Sequence, residues 1–406
     1  MCDSVAGMPS LARRGAFVTS ALVLALCLWA SGAPSVLYPV YAAEWQLTPV
    51  ITTSVFGTYP LALLLTLLLF GSFSDAVGRR RAMLLGVALI AASAVLFAIA
   101  PDVLFLFLGR VLQGVGTGFA LSAASASLVE NSVFRSPRAS SSAITVSTSS
   151  GLTLALVVTG VLAQHLPLPT VLSFGVLFAI AALAIVLLAL MPRTPGSGAP
   201  FRVSLPHLAP GIARPFAAAA LSVATAFAVG ALFLSLGAQM AKQFAGTSDL
   251  TVIGLLLGVS SVTIGVTALL IARIHAAVSI AIGAVLSLAG LGVMVAAAAS
   301  GSLALFFVWC VVGGVGYSFA FTGGLALANR AAPPQHRGGT LSLAYLVSYL
   351  AQAAVSVGAG ALATALGLAR AIDVAAPVVA AICLASLVVV LIDIVAGRRM
   401  ATVATA

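Results

Sequence analysis

Twelve apolar runs, each close to or above twenty residues and separated by short polar punctuation, dominate this chain of 406 residues. A run of that length satisfies its own backbone hydrogen bonds as a helix and spans a hydrocarbon layer of ~30 Å. Strands of a membrane barrel alternate over ~10 residues, whereas these runs are continuously apolar, so helices are expected. They lie near residues 16–41, 49–70, 82–100, 103–128, 141–163 and 170–191, then near 215–240, 250–271, 278–299, 303–328, 340–365 and 374–396. With 62% hydrophobic and 6% charged residues, the chain is excluded from the water-soluble class, in which about 25% of residues are charged. The expected fold class is an all-α membrane protein with twelve transmembrane helices.

The formal net charge of +10 does not mark a nucleic-acid binder, because the basic residues are scattered among short loops and form no separate basic domain. Loop counting explains the excess. Fifteen of the eighteen lysines and arginines fall on one side, while Lys242 and Arg370 fall on the other and Arg110 lies inside a span. The positive-inside rule then puts both termini in the cytoplasm. Arg13-Arg14 followed by an apolar stretch also fits a signal peptide with small residues at 30–33, but the run exceeds a signal core of 7 to 15 residues. Gly114-Val115-Gly116-Thr117-Gly118-Phe119-Ala120-Leu121 recurs 200 residues later as Gly314-Val315-Gly316-Tyr317-Ser318-Phe319-Ala320-Phe321. This repeat predicts two six-helix halves, 1–191 and 215–406, joined by a proline- and arginine-rich cytoplasmic linker at 192–214.

Ionic chemistry concentrates in Gly71-Ser72-Phe73-Ser74-Asp75-Ala76-Val77-Gly78-Arg79-Arg80-Arg81, between the second and third spans. This segment resembles the corresponding loop of major facilitator superfamily transporters, roughly G-x-x-x-D-x-x-G-R-[RK]. Arg110-Val111-Leu112-Gln113-Gly114 in the fourth span resembles the R-x-x-Q-G signature of the drug/proton antiporter branch. The resemblance implies a carrier whose two halves rock about a midplane site. It assigns Asp75, Arg79 and Glu130 to an ion network that gates the exchange of conformations, with Gly71 and Gly78 permitting the tight loop, and leaves Arg80 and Arg81 as positive-inside anchors. It associates Arg110 with proton coupling or substrate binding. A guanidinium inside a span costs ~2.5 kcal/mol or more, which makes function the default reading, with snorkelling to the interface as the alternative. Gln113 is three residues on and shares its face.

Polar side chains are unevenly distributed. The fifth span is dense in serine and threonine, the third carries Ser93 alone, and in the eleventh Tyr345, Ser348, Tyr349, Gln352 and Ser356 share one helical face. Tyr345, Tyr349 and Gln352 are therefore candidate substrate contacts. The other reading is that serines and threonines bond to their own helix or to a neighbouring one. The antiporter resemblance is incomplete: the fifth span keeps Gly151 and Gly160 of G-x-x-x-G-P-x-x-x-G but has Ala155-Leu156 for Gly-Pro, and all eight acids map to tails, loops or span ends. Glu44, beside Tyr41 and Trp45, is the remaining candidate for a titrating partner of Arg110; alternatively it is a solvated loop acid.

Four scattered cysteines make neither a disulfide framework nor a metal site, and no phosphate-binding glycine loop is present, so no cofactor, metal or ATP is expected. The expected protein is a multi-pass, monomeric, non-enzymatic carrier of a bacterial-type plasma or inner membrane. Its partners are the lipid bilayer, a small-molecule substrate and protons. The leading function is export of a small hydrophobic or amphipathic molecule by proton-coupled alternating access. Uptake or uncoupled facilitation of a neutral or anionic solute is the alternative. An intramembrane enzyme would need paired reactive groups at one depth, and a transporter-like sensor would lose cavity polarity or carry an appended signalling domain.

Overall fold

Thirteen helices account for nearly all of the residues described by the computed structural model, which are 10–71, 73–134, 137–192, 208–244, 246–333 and 336–404. Most of the expected linker at 192–214 lies outside these residues, as do Cys2, Asp3 and His207. In chain order the helices are α1 (Ser10–Glu44), α2 (Pro49–Phe70), α3 (Phe73–Val77), α4 (Arg79–Ala98), α5 (Val103–Glu130), α6 (Pro137–His165) and α7 (Pro169–Leu190). They continue as α8 (Ala213–Phe244), α9 (Leu250–Leu270), α10 (Ala276–Ser300), α11 (Leu303–Ala331), α12 (Arg337–Leu366) and α13 (Leu368–Ala404).

Twelve of these are long and apolar enough to cross a membrane, as the apolar runs predict. The exception is α3, a five-residue helix inside the arginine-rich loop. Helix starts follow local chemistry: the Asp102 carboxylate accepts from Leu104 N at 2.9 Å, and Asp249 accepts from Thr251 N and Val252 N at 2.7 and 3.2 Å. Each therefore satisfies amide groups that a helix start leaves free. Helix α1 runs through Pro34 and Pro39 and α2 through Pro60, each proline removing one intrahelical donor.

The described residues fall into two compact units, one within 1–41, 58–204 and 249–258 and the other within 42–57, 205–248 and 259–406. Within the first unit α4 packs along α5 and against α7; within the second α10 packs along α11 and against α13. The internal repeat is visible at atomic contacts. A Cβ on Gly86 of α4 would lie 2.7 Å from Ala120 N on α5, and one on Gly283 of α10 would lie 2.8 Å from Ala320 Cα on α11. Ala120 and Ala320 occupy equivalent positions of the repeated octapeptide, so the same small residues bring equivalent helix pairs to backbone contact. Without a hydrophobic drive between helices in lipid, such close packing supplies the attraction.

Candidate functional site

The charged loop folds as a short ion network. Gly71 ends α2 in a turn, where a Cβ would come within 2.7 Å of Leu67 O. Gly78 has φ 95° and precedes α4, a backbone region that favours glycine. That turn sets Arg79 at the start of α4. Its guanidinium forms an ion pair with Asp75, donates to Ser74 Oγ at 2.7 Å, and reaches Glu130 Oε1 at the end of α5 at 3.2 Å. The structure thus brings Asp75, Arg79 and Glu130 together. Asp75 and Glu130 remain exposed, at 56% and 38%, so each pair contributes about 1 kcal/mol or less to stability. Gly78→Ala is expected to cost ~1–2 kcal/mol by forcing a Cβ into the left-handed region, read as a lowered Tm of the purified protein.

Arg80, expected as a positive-inside anchor, also makes specific contacts. Its Nε donates to Leu188 O and its Nη2 to Ala189 O, both at 2.7 Å, so it caps the carbonyl end of α7. A cation there also complements the helix dipole.

Arg110 lies inside the first unit. It is the fully buried charged side chain among the described residues, with no exposed area. Its Nε donates to Tyr38 Oη at 3.1 Å, and its Nη2 donates to the same hydroxyl. Its Nη1 donates to Ser31 O at 3.2 Å and to Gln113 Oε1 at 3.0 Å. The guanidinium carbon lies 5.6 Å from the ring centroids of both Tyr38 and Tyr59, within cation–π range. Arg110 and Gln113 come from one face of α5, and Ser31 and Tyr38 from one face of α1. The charge therefore cross-links two helices. Gln113 Nε2 is buried and has no hydrogen-bond partner among the described residues.

The acids sit elsewhere. Glu44 is exposed at the C-terminal end of α1, and no described carboxylate is fully buried. On α6, Ser147, Thr148 and Ser149 donate to the carbonyls of Ala143, Ile144 and Thr145, so the serine-rich character of that span is partly absorbed by its own backbone.

In the second unit Tyr345 and Tyr349 of α12 stack at 6.1 Å and flank Phe227 of α8, and Gln352 continues the same face one turn on. Composition and periodicity mark the α12 positions; Phe227 gave no such signal because its partners come from other helices.

Twelve helices long and apolar enough to cross a membrane, with a buried arginine bridging two of them, define a multi-pass integral membrane protein. The Major Facilitator Superfamily profile matches residues 20–236, and the chain belongs to that family of membrane transporters. An uncharacterised transporter of Escherichia coli K12, YebQ, is 28% identical over 123 residues, a stretch covering 30% of this chain. That match spans only 27% of YebQ's own length. The fold is similar to that of a mutant of the nucleoside transporter NupG, with a TM-score of 0.77 at 13% identity, covering 93% of this chain and 99% of that one. A POT family transporter in complex with 5-aminolevulinic acid gives 0.75 at 13% identity, covering 92% and 95%. An inward-facing bacterial homologue of the human lysosomal transporter Spinster gives 0.69 at 16% identity, covering 95% and 96%.

Proposed function

We propose that this transporter exports a small hydrophobic or amphipathic molecule by proton-coupled alternating access, as a monomer with both termini in the cytoplasm. The observation that carries this reading is Arg110, a fully buried cation held by Tyr38, Gln113 and the Ser31 carbonyl. A fixed charge at low dielectric changes the proton affinity of any group brought beside it, which links substrate binding to proton exchange. The R-x-x-Q-G resemblance supports the export direction. In this reading Arg110, Gln113, Glu44, Tyr345, Tyr349 and Gln352 serve substrate or coupling. Gly71, Asp75, Gly78, Arg79 and Glu130 serve the conformational exchange of the halves 1–191 and 215–406 about their linker.

One observation favours a second reading. The described carboxylates are exposed or partly exposed, which suits uptake or uncoupled facilitation of a neutral or anionic solute held by Arg110. The solved neighbours, one a nucleoside transporter and one a transporter in complex with 5-aminolevulinic acid, are compatible with such solutes. Flux of a panel of lipophilic cations, sugars, nucleosides and organic acids in reconstituted vesicles separates the two. Movement of one compound that follows an imposed pH gradient is the expected result; equal equilibration under either gradient would replace export with facilitation.

A further inference from the structure

The second unit holds an aromatic wall that includes Tyr345 and Tyr349, and the proposed function leaves open which chemical class of substrate these rings meet. Phe227 of α8 is nearly buried, and Tyr317, Phe321, Tyr345 and Tyr349 pack on it while each remains partly exposed. Phe227 lies almost parallel to Tyr317 and Phe321, with interplanar angles of 10° and 17° and centroid distances of 6.5 and 5.9 Å. Tyr349 meets it edge-on at 4.9 Å and 70°. Tyr317 and Phe321 stack on each other at 5.9 Å, as Tyr345 and Tyr349 do at 6.1 Å. Three helices thus present two stacked pairs around one central ring. None of these residues is charged. One turn beyond Tyr349, Gln352 Oε1 is buried without a hydrogen-bond partner among the described residues. An orphaned carbonyl oxygen is costly unless a donor reaches it, and no described side chain supplies one.

From this arrangement we infer that the aromatic wall of α8, α11 and α12 binds the substrate through a flat, uncharged heteroaromatic ring carrying an N–H group. The ring stacks on Tyr345 and Tyr349, and its N–H donates to Gln352 Oε1. Ring faces reward stacking by any flat π-system, and the lone acceptor selects those with a donor at the edge. A lipophilic cation would gain cation–π attraction from the same rings but would leave the Gln352 acceptor unmet. The inference rests on the transport reading for its biological meaning, but ligand binding to the wall can be measured without transport.

The test uses the full chain in lipid nanodiscs and lumichrome, a neutral planar heteroaromatic with two ring N–H groups, followed by its own fluorescence. Saturable quenching is expected. Tyr345→Leu and Tyr349→Leu should each weaken it about tenfold, while Tyr349→Phe, which keeps the ring, should retain it. Gln352→Leu should weaken lumichrome but not its 1,3-dimethyl derivative, which lacks both N–H groups; this split is a readout that a merely structural role for Gln352 would not give. Variants are compared at equal Tm, so a loss through misfolding is recognised, and Tyr345→Leu stands in where Tyr349→Leu does not fold. Absence of saturable binding, binding untouched by either leucine variant, or displacement by tetraphenylphosphonium at equal affinity would each overturn the inference. Arg110-dependent flux of other compounds without lumichrome binding would overturn it and leave the transport reading intact. Lumichrome binding with no flux of any compound would do the reverse.

Discussion

Arg110→Ala is expected to abolish transport while leaving a protein that still inserts in the membrane. The substitution removes the buried charge and the donor shared by Tyr38 Oη, Gln113 Oε1 and Ser31 O. Each hydrogen bond to a charged group is worth about 1.5–3 kcal/mol, so some loss of stability accompanies the loss of function, and the two must be separated. Arg110→Lys separates them. It keeps the positive charge, but one ammonium cannot reproduce the planar fork that reaches Tyr38 on one edge and Gln113 and Ser31 on the other. If Arg110 acts only as a brace between α1 and α5, lysine and alanine variants lower Tm and transport in proportion. If its charge serves binding or coupling, Arg110→Lys retains gradient-dependent flux at roughly a tenth of the original rate, the cost of about one lost hydrogen bond, and Arg110→Ala retains none. Initial rates in vesicles at matched protein content, set beside thermal midpoints of the same preparations, decide between these outcomes. Unchanged flux in Arg110→Ala would remove Arg110 from the mechanism.

The spans were legible because lipid forces every backbone group to be satisfied within its own segment, so a long apolar run has few alternatives to a helix. The short helix α3 was not, because Phe73–Val77 is too brief for any periodic signal and is stabilised by what surrounds it. The same division holds within the site. Arg110 and Gln113 could be paired from their three-residue spacing, and Asp75 and Arg79 from their four-residue spacing. Tyr38 and Ser31 could not, since their approach to Arg110 depends on how α1 crosses α5 and lies 72 and 79 residues away in sequence. Arg80 illustrates the limit most directly. As a residue in a basic loop it reads as a membrane anchor, yet its partners are carbonyls 108 and 109 residues distant. Carbonyls carry no side-chain signature, so caps of this kind are invisible to composition and spacing.

Gly254→Leu is expected to stop turnover with little loss of folded protein. Residues Asp249–Gly258 of the α9 region belong to the same compact unit as α6, and the two helices meet there through glycines. A Cβ on Gly254 would lie 2.5 Å from Leu156 O and 3.1 Å from Gly160 Cα, and one on Gly160 would lie 2.5 Å from Leu250 O. These are backbone atoms, so no change of rotamer relieves the overlap, and the helix ends must part to reach ordinary contact at ~3.5–4.0 Å. Parting also strains the bond from Leu250 N to Gln164 Oε1 at 2.8 Å, which closes the same end of the pair. In an alternating-access cycle such a contact forms in one state and opens in the other. Overpacking costs ~1–3 kcal/mol, and in the proposed cycle an open state that escapes it would be favoured by roughly fivefold to 150-fold. Gly254→Ala should therefore slow transport, Gly254→Leu should stop it, and Gly175→Leu, where no atom lies within 4 Å of the added Cβ, should leave it unchanged. Full transport by Gly254→Leu would mean that α6 and α9 need not close at this crossing for the cycle to run.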